Sequence, residues 1–227
     1  MTSRGPVSAP PFPAAAASFL LPGPAGAIEV ACGVPGSDAR NGVAIICHPN
    51  PLQGGTMFNK VVTTLDKGLV ELGLWTLRFN FRGVGQSEGT HDEGGGESDD
   101  LVAIAEWVRR EKPDAVLWLA GFSFGSYVTL RAVSRLSPAQ VILVAPPVGR
   151  WNFDAVTWPS CPTLIVQGDD DDVVDASAVY AWAEQQTPPP TLVRMAETGH
   201  FFHRRLIDLR GAVRNAVRDN LPPFLAP

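Results

Sequence analysis

Short apolar runs alternate with longer amphipathic segments along this chain of 227 residues from Ser18 onward. Six of the runs are too apolar to have one face in water, as is typical of parallel strands that helices cover on both faces. These predicted strands are 42–47, 75–79, 115–120, 141–145, 163–166 and 191–195. The alternation predicts an α/β fold with a mostly parallel central sheet.

The segments between the predicted strands have helical spacing. In one of them Leu101, Ile104 and Val108 recur at intervals of three and four residues with charges between them, which indicates a helix that packs on a sheet. The predicted helices are 58–72, 96–110, 124–136, 176–186 and 204–220. Before them, the runs 18–21 and 28–32 flank a turn rich in proline and glycine and predict two antiparallel strands at one edge of the sheet.

The sequence Gly-Phe-Ser-Phe-Gly at 121–125 lies between a predicted strand and a predicted helix. In this context the pattern G-x-S-x-G places a serine on a sharp, strained turn, and side chains at the two glycine positions would collide with the neighbouring strand and helix. Ser123 is therefore the candidate nucleophile. A chain with 22 glycines can contain this pattern by chance, so the interpretation depends on a base and an acid later in the chain.

Four motifs in this order resemble those of the α/β-hydrolase family: His-Pro-Asn-Pro-Leu-Gln-Gly-Gly-Thr-Met at 48–57, Arg-Phe-Asn-Phe-Arg-Gly-Val-Gly-Gln-Ser at 78–87, Gly-Phe-Ser-Phe-Gly at 121–125 and Gly-His-Phe-Phe-His at 199–203. The chain is most similar to a small, lid-less bacterial subgroup of predicted serine hydrolases. The resemblance implies a mostly parallel sheet with an antiparallel N-terminal edge, helices on both faces and no cap domain. The stretch 146–162, where this family often inserts a lid, is too short for one.

The resemblance also implies partners for Ser123, because the family orders its catalytic residues as Ser, Asp or Glu, then His. His200 is the implied base, with His203 as its rival. In the acidic run 169–172 the spacing of the family turn selects Asp171, which would accept the Nδ1 proton of His200. A metal site in the same run is a weaker interpretation, because consecutive carboxylates cannot all point toward one ion. We expect no metal and no cofactor.

The predicted oxyanion hole needs two backbone N–H donors. The residue after the nucleophile, Phe124, supplies one of them. Resemblance to the family implies Asn50 for the second, with Leu52 as the fallback, because Pro49 and Pro51 have no N–H to donate. The His-Pro-Asn-Pro sequence departs from the family's more usual His-Gly, so the second donor is the least secure part of the predicted site.

Candidate pocket residues lie after two of the predicted strands. Trp151, Phe153 and Trp158 in the stretch 146–162 would form an apolar wall, although such aromatic residues more commonly pack a loop onto the sheet. His48, at the end of the first parallel strand, is a further candidate. Without a cap, the site is predicted to be open.

Composition excludes several other classes of protein. The 18 basic residues against 23 acidic ones give a net charge of −5 without a basic block, so nucleic acid is not an expected partner. The cysteines Cys32, Cys47 and Cys161 are odd in number and lie in apolar surroundings, which favours buried thiols over disulfides and suits the cytoplasm. No run approaches the roughly 18 apolar residues of a membrane span, so we expect no membrane association.

The domain organisation predicted from the sequence is simple. Prolines interrupt the apolar N-terminal stretch, which argues against a targeting signal, so residues 1–17 are predicted to be a disordered arm. Residues 18–227 are predicted to form a single domain, since α/β domains of this length are routinely undivided.

The leading functional hypothesis is a serine hydrolase that cleaves a small carboxylic ester or thioester of a small-molecule acyl substrate through an acyl-enzyme. The alternative is a non-catalytic small-molecule receptor or interaction protein on the same scaffold, since a fold does not by itself imply a function. A homodimer through an exposed sheet edge or the terminal helix is a further hypothesis.

Overall fold

An eight-stranded sheet runs through the centre of the computed structural model, which describes residues 8–225. The strands are β1 (Ala17–Gly23), β2 (Gly26–Gly33), β3 (Gly42–Cys47), β4 (Trp75–Phe79), β5 (Val116–Phe122), β6 (Gln140–Val144), β7 (Thr163–Gly168) and β8 (Thr191–Met195). Their order in the sheet is β1-β2-β4-β3-β5-β6-β7-β8. The β1–β2 and β2–β4 pairs are antiparallel and all others are parallel, which confirms the predicted mostly parallel sheet with an antiparallel N-terminal edge.

Helices cover both faces of this sheet. They are α1 (Lys60–Glu71), α2 (Gly95–Glu111), α3 (Phe124–Leu136), α4 (Ala176–Glu184) and α5 (Leu206–Ala216), and short 3-10 helices lie at Pro51–Gln53, Phe153–Ala155 and Arg218–Asn220. One core contains α2, α3 and α4, and the other contains α1 and α5. Successive residues of β3 alternate between them, with Val43 in the first core and Ala44 in the second. Both faces of the sheet are therefore buried at β3, which explains why the run 42–47 is apolar throughout.

Only α3 has the predicted bounds at both ends, and the later starts of α1 and α5 have local reasons. Asn59 caps α1 by accepting a hydrogen bond from the Val61 N–H at 2.9 Å, so the helix starts at Lys60. Phe202 and Arg204 have positive φ angles of 52° and 60°, which keep the chain out of helical conformation until α5 begins.

Part of the N-terminal arm is ordered on the surface of α2. The Trp107 Nε1–H donates to the carbonyl of Pro10 at 3.0 Å, and the Phe12 ring stacks on Trp107 with the centroids 5.2 Å apart. In the structure, part of the segment predicted as a disordered arm thus packs on α2, where the carbonyl of Pro10 supplies the acceptor that a buried indole needs. Residues 1–7 of the predicted arm lie outside the described residues.

The carboxyl ends of the parallel strands meet at one edge of the sheet, which is where α/β proteins usually bind ligands. The loops that leave β3, β5, β6, β7 and β8 there carry all the predicted site residues. The stretch 146–162 contains only one short 3-10 helix, in agreement with the absence of a cap domain. In the part of the chain that the structure describes, no helix is long and apolar enough to cross a bilayer.

Candidate active site

Ser123 lies on a strained turn between β5 and α3, within the segment 121–125 that we call the elbow. Its φ of 52° and ψ of −121° lie outside the regions that side chains prefer, at a cost of about 1–3 kcal/mol. Hydrogen bonds hold the turn: the Ser123 N–H donates to the Val144 carbonyl at 2.8 Å, and the Ser126 hydroxyl donates to the Gly121 carbonyl at 2.9 Å. The backbone is thus fixed from both sides.

The two glycines of the elbow are required by close backbone approaches. A Cβ atom at Gly121 would overlap the carbonyl of Gly125, and a Cβ atom at Gly125 would overlap the carbonyl of Cys47 at the end of β3. These contacts are the collisions that the sequence pattern predicts. The elbow can therefore pack against β3 only without side chains at these two positions.

Ser123, His200 and Asp171 are joined by hydrogen bonds. The His200 Nε2 atom lies 3.0 Å from the Ser123 Oγ atom, and the His200 Nδ1 atom lies 2.8 Å from the Asp171 Oδ2 atom. The side chain of His200 is 2 % exposed and that of Asp171 is fully buried. The structure thus brings the three predicted residues together, whereas His203 is exposed and takes no part.

Asp171 is held as a carboxylate by several donors. Its Oδ1 atom accepts the N–H groups of Val173 at 2.9 Å and Val174 at 2.7 Å, and its Oδ2 atom also accepts the Gln167 side-chain amide at 2.9 Å. Burial raises the pKa of Asp171, but the hydrogen bonds from His200, Val174 and Gln167 outweigh burial and hold this pKa below its usual value. An ionised Asp171 keeps the imidazole proton on Nδ1, so that Nε2 faces Ser123 as an acceptor.

The other acids of the run 169–172 point elsewhere. Asp169 accepts a hydrogen bond from the Tyr180 hydroxyl and pairs with the Arg194 side chain at 3.2 Å, while Asp170 and Asp172 are exposed. Within residues 8–225 no group of three or more His, Cys, Asp or Glu side chains is arranged to hold a metal ion. Within the run 169–172 only Asp171 reaches His200, because the turn after β7 directs its neighbours outward.

The N–H groups of Phe124 and Asn50, the candidate oxyanion donors, differ from that of the fallback, Leu52, in their hydrogen bonding. Phe124 is the first residue of α3, a position whose N–H has no acceptor within the helix. The Leu52 N–H already donates to the Asn50 side chain at 2.9 Å, which removes the fallback of Leu52. The Asn50 N–H has no acceptor among the described residues, and Asn50 lines the same pocket as Ser123 and Phe124. Asn50 therefore remains the candidate for the second donor.

A pocket of about 340 Å³ opens in front of Ser123. Its lining residues are Asn50, Gln53, Ser123, Phe124, Pro147, Arg150, Trp151 and Val173. Of the predicted aromatic wall only Trp151 is present, with its ring centroid 4.7 Å from that of Phe124. A larger cavity of about 560 Å³ near Arg40 and Arg218 contains none of the three hydrogen-bonded residues, so we place the site at the smaller pocket.

Sequence reasoning missed four residues of this pocket: Gln53, Pro147, Arg150 and Val173. All four lie in loops that leave the carboxyl ends of strands, which was the one signal that pointed to them. Nothing in the sequence separates them from other loop residues.

Phe153 and Trp158 do not line the pocket, so their prediction as its wall was wrong. Phe153 is buried edge-on against Trp182 of α4, with ring centroids 5.2 Å apart. Trp158 packs on the same ring, and its Nε1–H donates to the Pro188 carbonyl at 2.9 Å. Both residues anchor the loop 146–162 to α4, because their apolar area is better buried there than left at an open site.

The prediction of His48 as a pocket residue was also wrong. Its side chain is fully buried, its Nε2 atom accepts the Phe81 N–H at 3.0 Å, and its Nδ1 atom lies 2.6 Å from the Pro49 carbonyl. Burial lowers the pKa of His48 to about 3, so the ring is neutral and Nδ1–H donates to Pro49. His48 links the ends of β3 and β4 and positions the loop that carries Asn50.

Comparison with known proteins places this geometry in a family. A family model described as the alpha/beta hydrolase fold matches residues 45–160. XC6422 from Xanthomonas campestris, an α/β serine hydrolase without a lid, is 52 % identical, with a TM-score of 0.92 over 96 % of this chain and 100 % of that protein. An α/β serine hydrolase homologue from Coxiella burnetii is 47 % identical, with a TM-score of 0.87 over 90 % of this chain and 98 % of that one.

Curated relatives match less of the chain. An uncharacterized protein of Rickettsia prowazekii is 39 % identical over 142 residues, which are 60 % of each protein. The lysophosphatidylserine lipase ABHD12 of Danio rerio is 29 % identical over 171 residues, which are 58 % of this chain and 44 % of that protein. The match thus spans about half the length of these relatives.

Proposed function

This chain belongs to the α/β-hydrolase family, and we propose that it is a serine hydrolase that cleaves a small carboxylic ester or thioester through an acyl-enzyme. The observation that carries the proposal is the pair of contacts at His200, 3.0 Å to the Ser123 hydroxyl and 2.8 Å to the Asp171 carboxylate. A serine hydroxyl is a weak nucleophile unless an adjacent base accepts its proton. These two contacts supply the base and the group that orients it.

Acylation begins when the Ser123 Oγ atom attacks the carbonyl carbon of the substrate while its proton passes to His200 Nε2. Asp171 stays ionised and stabilises the imidazolium that forms, in keeping with its lowered pKa. The carbonyl oxygen becomes an oxyanion, to which the N–H groups of Phe124 and Asn50 donate. The positive end of the α3 dipole adds to this stabilisation, because Phe124 is its first residue.

The intermediate collapses when the bond to the leaving group breaks and His200 Nε2 returns the proton to the departing alcohol or thiol. Water then attacks the acyl group on Ser123, and His200 accepts and returns a proton in the same way. The products are a carboxylic acid and the regenerated serine.

The shape of the site supports a small substrate. The pocket of about 340 Å³ lies at the lower end of the range for small-molecule sites. Trp151 supplies an apolar wall beside the elbow, and no cap encloses the site. Such a site suits a short acyl group whose leaving portion extends into solvent.

The experiment replaces the nucleophile. Ser123→Ala is expected to abolish turnover of p-nitrophenyl butyrate and labelling by a fluorophosphonate probe, because no other hydroxyl or thiol among the described residues lines the pocket. Ser134→Ala, which replaces an exposed serine on the helix α3 that follows the elbow, is the control and should retain both. Labelling of the Ser123→Ala protein would contradict the proposal. Saturable binding of an ester by the wild type without turnover would favour a receptor instead.

A further inference from the structure

Among residues 8–225, Arg150 is the only charged side chain that lines the pocket in front of Ser123. The residue is exposed, and within the described residues no carboxylate lies within ion-pair distance of its guanidinium. The other lining residues are polar or apolar, with no acid among them. The pocket therefore presents an uncompensated positive charge, although the chain as a whole carries a net charge of −5.

The backbone around Arg150 is fixed relative to the nucleophile. The Arg150 N–H donates to the Pro147 carbonyl at 3.1 Å, which closes a tight turn. The next residue, Trp151, packs its ring 4.7 Å from Phe124 and 5.3 Å from Tyr127, both in the helix that begins at the elbow. Because the turn is held against α3, an anionic ligand meets a cation whose backbone is already in place, which reduces the entropy lost on binding.

The chemistry of the guanidinium determines which ligand fits. An arginine side chain is charged at every physiological pH and presents parallel N–H donors that match carboxylate and phosphate oxygens. Such a charge attracts an anion more strongly in a partly enclosed site than on an open surface, because the effective dielectric constant is lower there.

We propose that Arg150 is a specificity-determining residue that favours esters carrying an anionic oxygen group, a carboxylate or phosphate, on the acyl or the leaving part. This inference rests on the proposed hydrolase function and adds to it the charge class of the substrate. Arg150 acts on substrate choice and takes no part in the proton transfers at Ser123.

The test compares matched esters that differ by one carboxylate. On the acyl side the pair is p-nitrophenyl valerate and the p-nitrophenyl monoester of glutaric acid. On the leaving side it is phenyl butyrate and meta-carboxyphenyl butyrate. For each pair, the preference is kcat/KM for the anionic ester divided by kcat/KM for the neutral one, with Ser123→Ala protein giving the background rate.

Arg150→Gln is expected to lower the preference about tenfold in at least one pair, because a charge-assisted hydrogen bond is lost. Arg150→Lys keeps the charge and should retain part of the preference. Arg110→Gln removes the same charge from an exposed site near the end of α2 and should leave the preference unchanged. Raising the salt concentration from about 0.01 M to about 1 M shortens the Debye length from ~30 Å to ~3 Å and should lower the preference of the wild type but not that of Arg150→Gln.

The outcomes separate this inference from the proposed function. A loss confined to one pair supports it and assigns the anionic group to the acyl or the leaving part. If the wild type hydrolyses the neutral esters and Arg150→Gln changes neither preference, the inference is overturned and the hydrolase function stands. If the wild type hydrolyses none of the four esters and does not react with fluorophosphonate, the proposed function fails and this inference with it.

Discussion

The elbow at 121–125 and the loop 146–162 both face the pocket, but they are held in different ways. Backbone hydrogen bonds and two carbonyl contacts fix the elbow, and no side chain is tolerated at its glycines. The loop is held mainly by aromatic rings, with Trp151 on α3 and Trp158 on α4. Packing by side chains tolerates substitution better than a backbone contact does.

The difference suggests a division of roles. In the proposed mechanism the elbow, with His200 and Asp171, supplies the chemistry, and its geometry must be held closely because a small displacement of the nucleophile costs much of the rate. The loop supplies Arg150 and Trp151, which line the pocket and, in this proposal, contact the part of the substrate that extends beyond the reacting carbonyl. Substitutions in the two regions should therefore change different quantities.

The largest effect is expected from replacing the predicted acid, Asp171. Asp171→Asn should lower kcat about 10⁴-fold with p-nitrophenyl butyrate, because an amide no longer stabilises the imidazolium or fixes its tautomer. Asp170→Asn changes the adjacent, exposed acid and is the matched control, with kcat expected near that of the wild type. Equal losses in the two variants would contradict the choice of Asp171.

Asp171 also predicts a pH dependence of stability. Its pKa is lowered in the folded protein, so its carboxylate stabilises the fold fully above the pKa of the unfolded chain, about 3.9, and loses this contribution as the pH falls through the lower folded value. Urea unfolding of the wild type and of Asp171→Asn should therefore differ more at about pH 7 than at about pH 3. If the two proteins instead differed more in unfolding free energy at about pH 3 than at about pH 7, folding would raise the pKa of Asp171, and this account would be wrong.

The next largest effect is expected from adding a side chain to a glycine of the elbow. Gly121→Ala places a methyl group against the Gly125 carbonyl and is expected to destabilise the fold by about 3 kcal/mol, with loss of fluorophosphonate labelling. Gly36→Ala is the matched control, because a Cβ atom there meets no atom within 4 Å. Urea unfolding measures both variants. If the urea midpoint of Gly121→Ala were unchanged, the elbow would have relaxed to accept the methyl group. The elbow would then tolerate substitution as well as the loop 146–162 does.

The sequence predicted the elbow better than the loop, for a physical reason. The run 42–47 is apolar throughout because both sheet faces are buried, and the Gly-x-Ser-x-Gly spacing follows from backbone collisions, so each leaves a pattern along the chain. Asp171 and His200, which lie in the loops after β7 and β8, were predicted from the resemblance to the family's order of Ser, acid and His. The constraints on the run 42–47 and on the elbow are visible in the sequence, although the contact of Gly125 with Cys47 joins residues that are far apart in the chain.

The direction of each loop side chain has no comparable pattern. Trp151 faces the pocket and Phe153 does not, because the intervening chain enters a 3-10 helix in which strand alternation does not apply. His48 was misplaced because its acceptor role depends on the Phe81 N–H, 33 residues away in the chain. Long-range contacts of this kind are determined by the packing of the sheet, and a single sequence does not display them.

The smallest effects are expected from two tryptophans of the loop. Trp151→Ala and Trp158→Ala each remove a half-buried ring and should destabilise the fold by a similar amount, about 2 kcal/mol in urea unfolding. Only Trp151 lines the pocket, so only its replacement should change the order of kcat/KM along a series of p-nitrophenyl esters of increasing acyl length. The longer esters should gain relative to the shorter ones, because the cavity widens beside the elbow.

The paired design tests the comparison between the elbow and the loop directly. Trp158→Ala controls for loss of an aromatic anchor, since its ring rests on Trp182 and not on α3. If both variants change the acyl-length preference equally, the loop acts on the site through its overall position. If neither does, Trp151 is only an anchor and the wall of the pocket is formed by other residues. A change in Trp151→Ala alone, with similar losses of stability in both, assigns the selection of acyl length to Trp151, in a loop whose other aromatic residues hold it in place.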